Sequence, residues 1–152
     1  TCALPICEWS ALAPAPDWSA VPAARQGLRE RLERLGQTLP LERTVLLGFS
    51  QGGAMAVDVA TSAAGLPLAG LICCSGYPHP EWQPQAAGLP VLLTHGSLDP
   101  VVPAEACAAL EEPLRAAGAL VTSQLFEGGH GIDPDLFPRI RGFLDQAWTT
   151  EA

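Results

Sequence analysis

With 152 residues, 48% of them hydrophobic, and a mean hydropathy of +0.21, the chain is long enough for one domain with a substantial core. Eight Lys and Arg against sixteen Asp and Glu give a formal charge of −8, and all eight cations are Arg with no basic run, which argues against a nucleic-acid or anionic-lipid partner. No apolar run reaches the ~18 residues of a membrane span, so stable membrane insertion is not expected.

The chain begins with Thr, not Met. Residues 1–7 are expected to be a non-native leader, because Thr1-Cys2-Ala3-Leu4-Pro5-Ile6 is also what one frame of a common sequencing-adapter end encodes. The reading frame is then expected to be cut short at its 5′ end, with residues 8–150 forming a single partial domain. Residues 8–17 are rich in Pro and Ala and read as a loop. Val21, Ala24, Leu28, Leu32 and Leu35 recur at helical spacing, with Pro22 in the first turn and Gly36 as the C-terminal cap. Residues 44–49 are short and apolar, as a buried parallel strand should be.

Small and apolar residues over 51–64 predict a buried helix closed by Gly65. Strands are predicted over 68–74 and 90–94. A helix follows over 103–117, kinked or divided by Pro113. A more polar strand over 119–126 suits a place near the sheet edge. The last helix begins at Pro134 or Pro138 and sets Ile140, Phe143, Leu144, Ala147 and Trp148 on one face. This order of apolar strands and helices predicts an α/β fold with a parallel sheet covered on both faces. Five Cys without a C-x-x-C spacing suggest neither a disulfide framework nor a zinc site. The adjacent Cys73 and Cys74 read as small buried hydrophobes, and a reducing, cytoplasmic location is expected.

Between the first predicted strand and the helix after it lies Gly48-Phe49-Ser50-Gln51-Gly52, which matches G-x-S-x-G. At a nucleophile elbow the serine occupies a sharp, strained strand-to-helix turn, and glycines two residues either side avoid collision with the adjoining elements. The turn exposes the hydroxyl and aims the N–H groups of the helix start at a developing oxyanion.

A serine nucleophile needs a base, and the base needs an orienting carboxylate. Of the three His, His79 lies in Tyr77-Pro78-His79-Pro80 and reads as a surface residue. His95 ends the third strand, and His130 follows the fourth in Glu127-Gly128-Gly129-His130-Gly131. Reactive residues in a parallel sheet gather at the carboxyl ends of strands. Ser50, Asp99 and His130 all follow strands, in the chain order Ser…Asp…His. Among the other acids, Asp58 points away from the strand ends, Asp133 and Asp135 read as helix caps, and Asp145 is on an exposed side.

Gly48-Phe49-Ser50-Gln51-Gly52-Gly53, His95-Gly96-Ser97-Leu98-Asp99-Pro100-Val101-Val102-Pro103 and Gly129-His130 together resemble the phospholipase/carboxylesterase family. That family consists of α/β-hydrolases and includes the acyl-protein thioesterases. The likeness runs from about Trp9 to the C-terminus. It implies Ser50 as nucleophile, Asp99 as orienter, His130 as base, and the Gln51 backbone N–H as one oxyanion donor, with Gly48 and Gly52 as the elbow glycines and His95 structural. Family members carry an earlier His-Gly-x-Gly-type loop that supplies a second oxyanion donor. Here the early strands and that loop are expected to be missing.

The chemistry expected is hydrolysis of a small-molecule or acyl-chain ester or thioester through an acyl-enzyme, with no metal and no organic cofactor. Turnover should rise with pH as the imidazole loses its proton. Trp82 and the loop over 77–88 are candidates to line the acyl or leaving-group side. The rival readings are a catalytically inert fragment, a non-catalytic α/β-hydrolase-like binding protein, or peptidase or dienelactone-hydrolase-like chemistry. Acyl length and oligomeric state are not written in this sequence.

Overall fold

The apolar runs become four strands of one parallel sheet, and most of the segments between them become the helices that cover it. The computed structural model describes residues 18–63 and 65–149, so the expected leader (1–7) and the Pro/Ala-rich loop (8–17) lie outside the described residues. In chain order the elements are α1 (Val21–Gly36), β1 (Val45–Phe49), α2 (Gln51–Ala60), β2 (Gly70–Cys74), β3 (Pro90–Gly96), α3 (Glu105–Ala116), β4 (Leu120–Phe126) and α4 (Phe137–Thr149). Single turns of 3-10 helix at Leu41–Arg43 and Pro134–Leu136 lead into β1 and α4.

The strands pair in the order β1-β2-β3-β4, each parallel to its neighbour. Parallel neighbours need long crossovers. Helix α2 supplies the first and α3 the third, while an extended loop joins β2 to β3. Register sets which side chains share a face: Leu71 lies opposite Val91, and Val91 opposite Val121, while Leu47, Ile72 and Leu92 align one position on.

On one face Leu71, Cys73, Val91, Leu93 and Val121 pack under Ala56, Val57 and Ala60 of α2 and Cys107, Leu110 and Leu114 of α3. Helix α1 lies outside α2, setting Leu32 against Met55 and Val59. The opposite face buries Ile72, Cys74 and Leu92 under Ile140, Phe143 and Leu144 of α4. Each fully buried Leu, Ile or Val contributes about 1.5–3 kcal/mol, so the two-sided cover expected of apolar parallel strands is also what stabilises them. Cys73, Cys74 and Cys107 are buried free thiols, as expected for the adjacent pair, and burial pushes their pKa up, that of Cys107 to about 11.

Several boundaries differ from the expected ones for local reasons. Helix α2 stops at Ala60, short of Gly65, because the Thr61 and Ser62 hydroxyls donate back to the Val57 and Val59 carbonyls and end the turn with side chains. Gly36 is the last residue of α1, and Gln37 caps it in an ordinary right-handed conformation, so no left-handed glycine is used. Pro113 does not divide α3: the helix runs through it to Ala116, forgoing the one bond a Pro113 N–H would make to the Ala109 carbonyl, and the buried Leu110 and Leu114 on either side hold the last turn in place. Both proline starts proposed for the last helix are used, Pro134 by the 3-10 turn and Pro138 by the first turn of α4. Strand β4 is an edge strand, with Leu120 and Leu125 exposed.

Candidate active site

Strand β1 ends at Phe49 and α2 begins at Gln51, so one residue, Ser50, makes the whole turn. Its backbone has φ 53 and ψ −123, a conformation that a non-glycine residue holds only when its surroundings impose it. Here the Ser50 N–H donates to the Cys74 carbonyl at 2.8 Å, extending the β1–β2 ladder by one bond, while its own carbonyl accepts from Ala54 N–H at 3.0 Å to open the helix. The first N–H groups of α2, that of Gln51 foremost, have no partner within the helix and are free to face an anion.

The elbow glycines differ from expectation. A Cβ on Gly48 would overlap the Gly52 carbonyl and sit 2.7 Å from Gly53 N, so this position must be glycine. A Cβ on Gly52 meets nothing within 4 Å, because it faces outward from the first turn of α2. The second glycine the turn needs is Gly53, whose Cβ would stand 3.0 Å from Cys73 Sγ and 3.2 Å from the Gly48 carbonyl. Accordingly Gly48→Ala should cost about 3 kcal/mol through forced backbone displacement. Gly52→Ala should be neutral or gain about 0.5–1 kcal/mol as a helical Ala. Urea midpoints of the two variants check this, and equal losses would overturn it.

Asp99 and His130 meet Ser50 from the ends of β3 and β4. Ser50 O–H donates to His130 Nε2 at 2.8 Å, and His130 Nδ1–H donates to Asp99 Oδ2 at 2.7 Å. The other carboxylate oxygen, Oδ1, accepts from the backbone N–H groups of Val101 at 2.8 Å and Val102 at 2.9 Å. Burial pushes the Asp99 carboxyl up, but the His130 hydrogen bond, the two amides and the imidazole charge outweigh it and hold its pKa below the ordinary value. An ionised, fully bonded Asp99 therefore fixes the imidazole with its free nitrogen toward Ser50.

His95 is buried and structural, as expected. Its Nε2–H donates to the Val102 carbonyl at 3.0 Å and lies 3.5 Å from Asp99 Oδ2, so it anchors the turn whose amides hold the acid. The path of the His130 loop is set by another glycine that sequence reasoning did not single out. A Cβ on Gly96, the last residue of β3, would overlap the carbonyls of Gly128 and Gly129. The loop thus crosses directly over the end of β3, tied by Ser97 N–H to Phe126 O and Leu98 N–H to Gly128 O, and this brings His130 back toward Ser50.

Two expectations are corrected. His79 is not a surface residue: it is buried, donates through Nδ1–H to Asp58 Oδ2 at 2.7 Å, and packs edge-on against Trp18 and Tyr77. Asp58 does stay out of the site, but as a buried anion shared between His79 and Arg25. Trp82 does not line the site. Its indole N–H donates to Thr61 Oγ1 past the far end of α2, a ten-residue helix about 15 Å long that starts at Ser50. The large apolar side chains exposed on the segments that carry the triad are instead Phe49, Leu98 and Val101. Asp133 caps the 3-10 turn before α4, accepting from Asp135 N–H, and Asp145 is exposed, both as expected.

Comparison with known proteins agrees with this geometry. Residues 20–148 match the model of the phospholipase/carboxylesterase family. The acyl-protein thioesterase 1 of Eremothecium gossypii is 30% identical over 120 residues, covering 74% of this chain and 51% of that protein. The crystal structure of esterase PE8 superposes with a TM-score of 0.78 at 29% identity, covering 92% of this chain and 70% of that one. The Bacillus cereus carboxylesterase has the same fold, with a TM-score of 0.79 at 22% identity over 91% of this chain and 68% of that one. The chain spans about half the length of the curated relatives it matches.

Proposed function

The chain belongs to the phospholipase/carboxylesterase family, and we propose that it carries the nucleophile, base and acid of a serine hydrolase acting on carboxylic esters or thioesters. The observation that carries this reading is the unbroken relay from Asp99 through His130 to Ser50, with bonds of 2.7 and 2.8 Å, on a serine held at φ 53. His130 takes the Ser50 proton as the oxygen attacks the acyl carbonyl, and the oxyanion forms against the Gln51 amide. The alcohol or thiol leaves with the proton from His130. Water, deprotonated by the same imidazole, then releases the acid. No metal or organic cofactor enters these steps.

Substrate class follows from the rim. The segments bearing the triad, 48–54, 96–103 and 126–133, contain no Lys or Arg, and they expose Phe49, Leu98 and Val101 together with the carboxylate of Glu127. An uncharged, apolar acyl group fits that rim, in keeping with the thioesterases and esterases this chain resembles.

Incubation with a fluorophosphonate, followed by peptide mass spectrometry, tests the reading. A single adduct on Ser50, suppressed by p-nitrophenyl butyrate, is the expected result. An unlabelled Ser50 in the folded chain would instead favour the inert reading.

A further inference from the structure

The backbone ties that carry the His130 loop over β3, at Phe126 and Gly128, precede His130 and leave the tilt of its ring to other groups. Gly129 and Gly131 flank His130, and a Cβ at the first would touch only Pro100, at 3.9 Å, while one at the second would touch nothing. Glycines so placed leave the backbone wide freedom. Its two polar ties, to Asp99 and Ser50, both act in the plane of the ring through its two nitrogens. They fix the positions of those nitrogens but not the tilt of the ring about the line joining them. A body against the face of the imidazole is needed for that.

Phe49 is the aromatic ring beside that imidazole. Its ring centroid lies 4.9 Å from that of His130, with the planes at 45°. It is 37% exposed, so no core packing requires an aromatic there. It is also the residue before the nucleophile, held by pairing with Cys74 and by the Ser50 N–H bond to the Cys74 carbonyl. One strand end therefore places both the nucleophile and the ring beside the base.

We infer that Phe49 is a positioning residue for His130, setting the tilt of its ring and supporting the positive charge the ring gains when it takes the Ser50 proton. The inference rests on the proposed nucleophile and base. An aromatic face attracts a cation, and more so as water is excluded. Phe49 thereby favours the imidazolium of the transition state over the neutral imidazole of the ground state, which is an effect on kcat and not on KM.

The test compares Phe49→Leu, which keeps an apolar side chain without a ring, with Phe49→Tyr, which keeps the ring. Proton NMR of the histidine rings, assigned through His130→Gln, reads the inference without any need for turnover. In Phe49→Leu the His130 ring protons should lose their ring-current shift and broaden, while the buried His79 and His95 signals stay in place and report an intact fold. Phe49→Tyr should retain the native His130 signals. In p-nitrophenyl butyrate kinetics Phe49→Leu should lower kcat about two- to fivefold with KM little changed, and Phe49→Tyr should restore it. Unmoved His130 signals in Phe49→Leu would overturn the inference, as would a raised KM at constant kcat. A Ser50→Ala variant that hydrolyses ester as fast as the native chain would sink the serine-hydrolase reading. The His130 signals would still decide whether Phe49 orients that ring.

Discussion

Replacing Ser50 by Ala should lower p-nitrophenyl butyrate turnover by about 10⁴- to 10⁶-fold, and replacing His130 by Ala should cost about as much. The two residues act as one unit across the 2.8 Å bond between Nε2 and Oγ, so the double variant should be no slower than the worse single one. Independent contributions would instead multiply. Neither change should disturb the fold much: Ser50 spends its backbone, not its hydroxyl, on the Cys74 and Ala54 hydrogen bonds, and His130 lies on a glycine-rich loop outside the core. Steady-state rates of the native chain, both single variants and the double variant, with circular dichroism beside them, check this. Turnover in Ser50→Ala equal to that of the native chain would remove Ser50 as nucleophile whatever the histidine variant did.

The second large effect belongs to a carboxylate with no part in the chemistry. Asp58 Oδ2 accepts from Arg25 Nη2 at 2.8 Å and from His79 Nδ1 at 2.7 Å, joining α1, α2 and the loop after β2. Asp58→Ala leaves His79 buried against Trp18 and Tyr77 without its partner, and should destabilise the chain by about 3 kcal/mol. That figure is at the low end for a broken buried pair because the Arg25 side chain is 38% exposed and regains water.

Burial pushes the Asp58 carboxyl up, but the bonds and charges of His79 and Arg25 outweigh it and hold its pKa below the ordinary value. A carboxylate with a folded-state pKa below that of the unfolded chain stabilises fully above the unfolded value, about 3.9. That contribution is lost as pH falls through the lower, folded value. The deficit of Asp58→Ala in urea should therefore be complete at pH 7 and shrink below about pH 4. Equal midpoints at pH 7 would show that the network contributes nothing.

The strands, their class and the triad were legible in the sequence because each rests on local pattern. Apolar runs over 44–49 and 90–94 admit buried strands, the more polar run over 119–126 admits one near the edge, and the candidate residues Ser50, Asp99 and His130 follow these three in turn. The role of His79 was not legible, since a histidine between Pro78 and Pro80 has every local mark of a surface loop. Its partner, Asp58, is 21 positions away on another element, and only tertiary packing reveals the pair. Gly52 misled for the converse reason. The G-x-S-x-G spacing names it, yet the steric demand falls on Gly53, which faces β2, and on Gly96, which lies under a loop thirty residues on in the chain. Such demands arise between distant backbones and leave no periodic trace.

Among the described residues the sheet keeps its four strands in chain order, so Ser50 leaves one outer strand and the chain that carries His130 leaves the other. Three strand spacings of about 4.8 Å separate those strands, roughly 14 Å of sheet. The Gly128–Gly129 passage over Gly96 closes the distance. The relay is in this sense a gauge of the whole width of the sheet. Separation of β4 from β3 would withdraw the base while the central strands stayed intact, and the seven register pairs between them, against five between β1 and β2, oppose it. The alignment of the three residues therefore depends on both outer strands keeping their pairing, and not on the core alone.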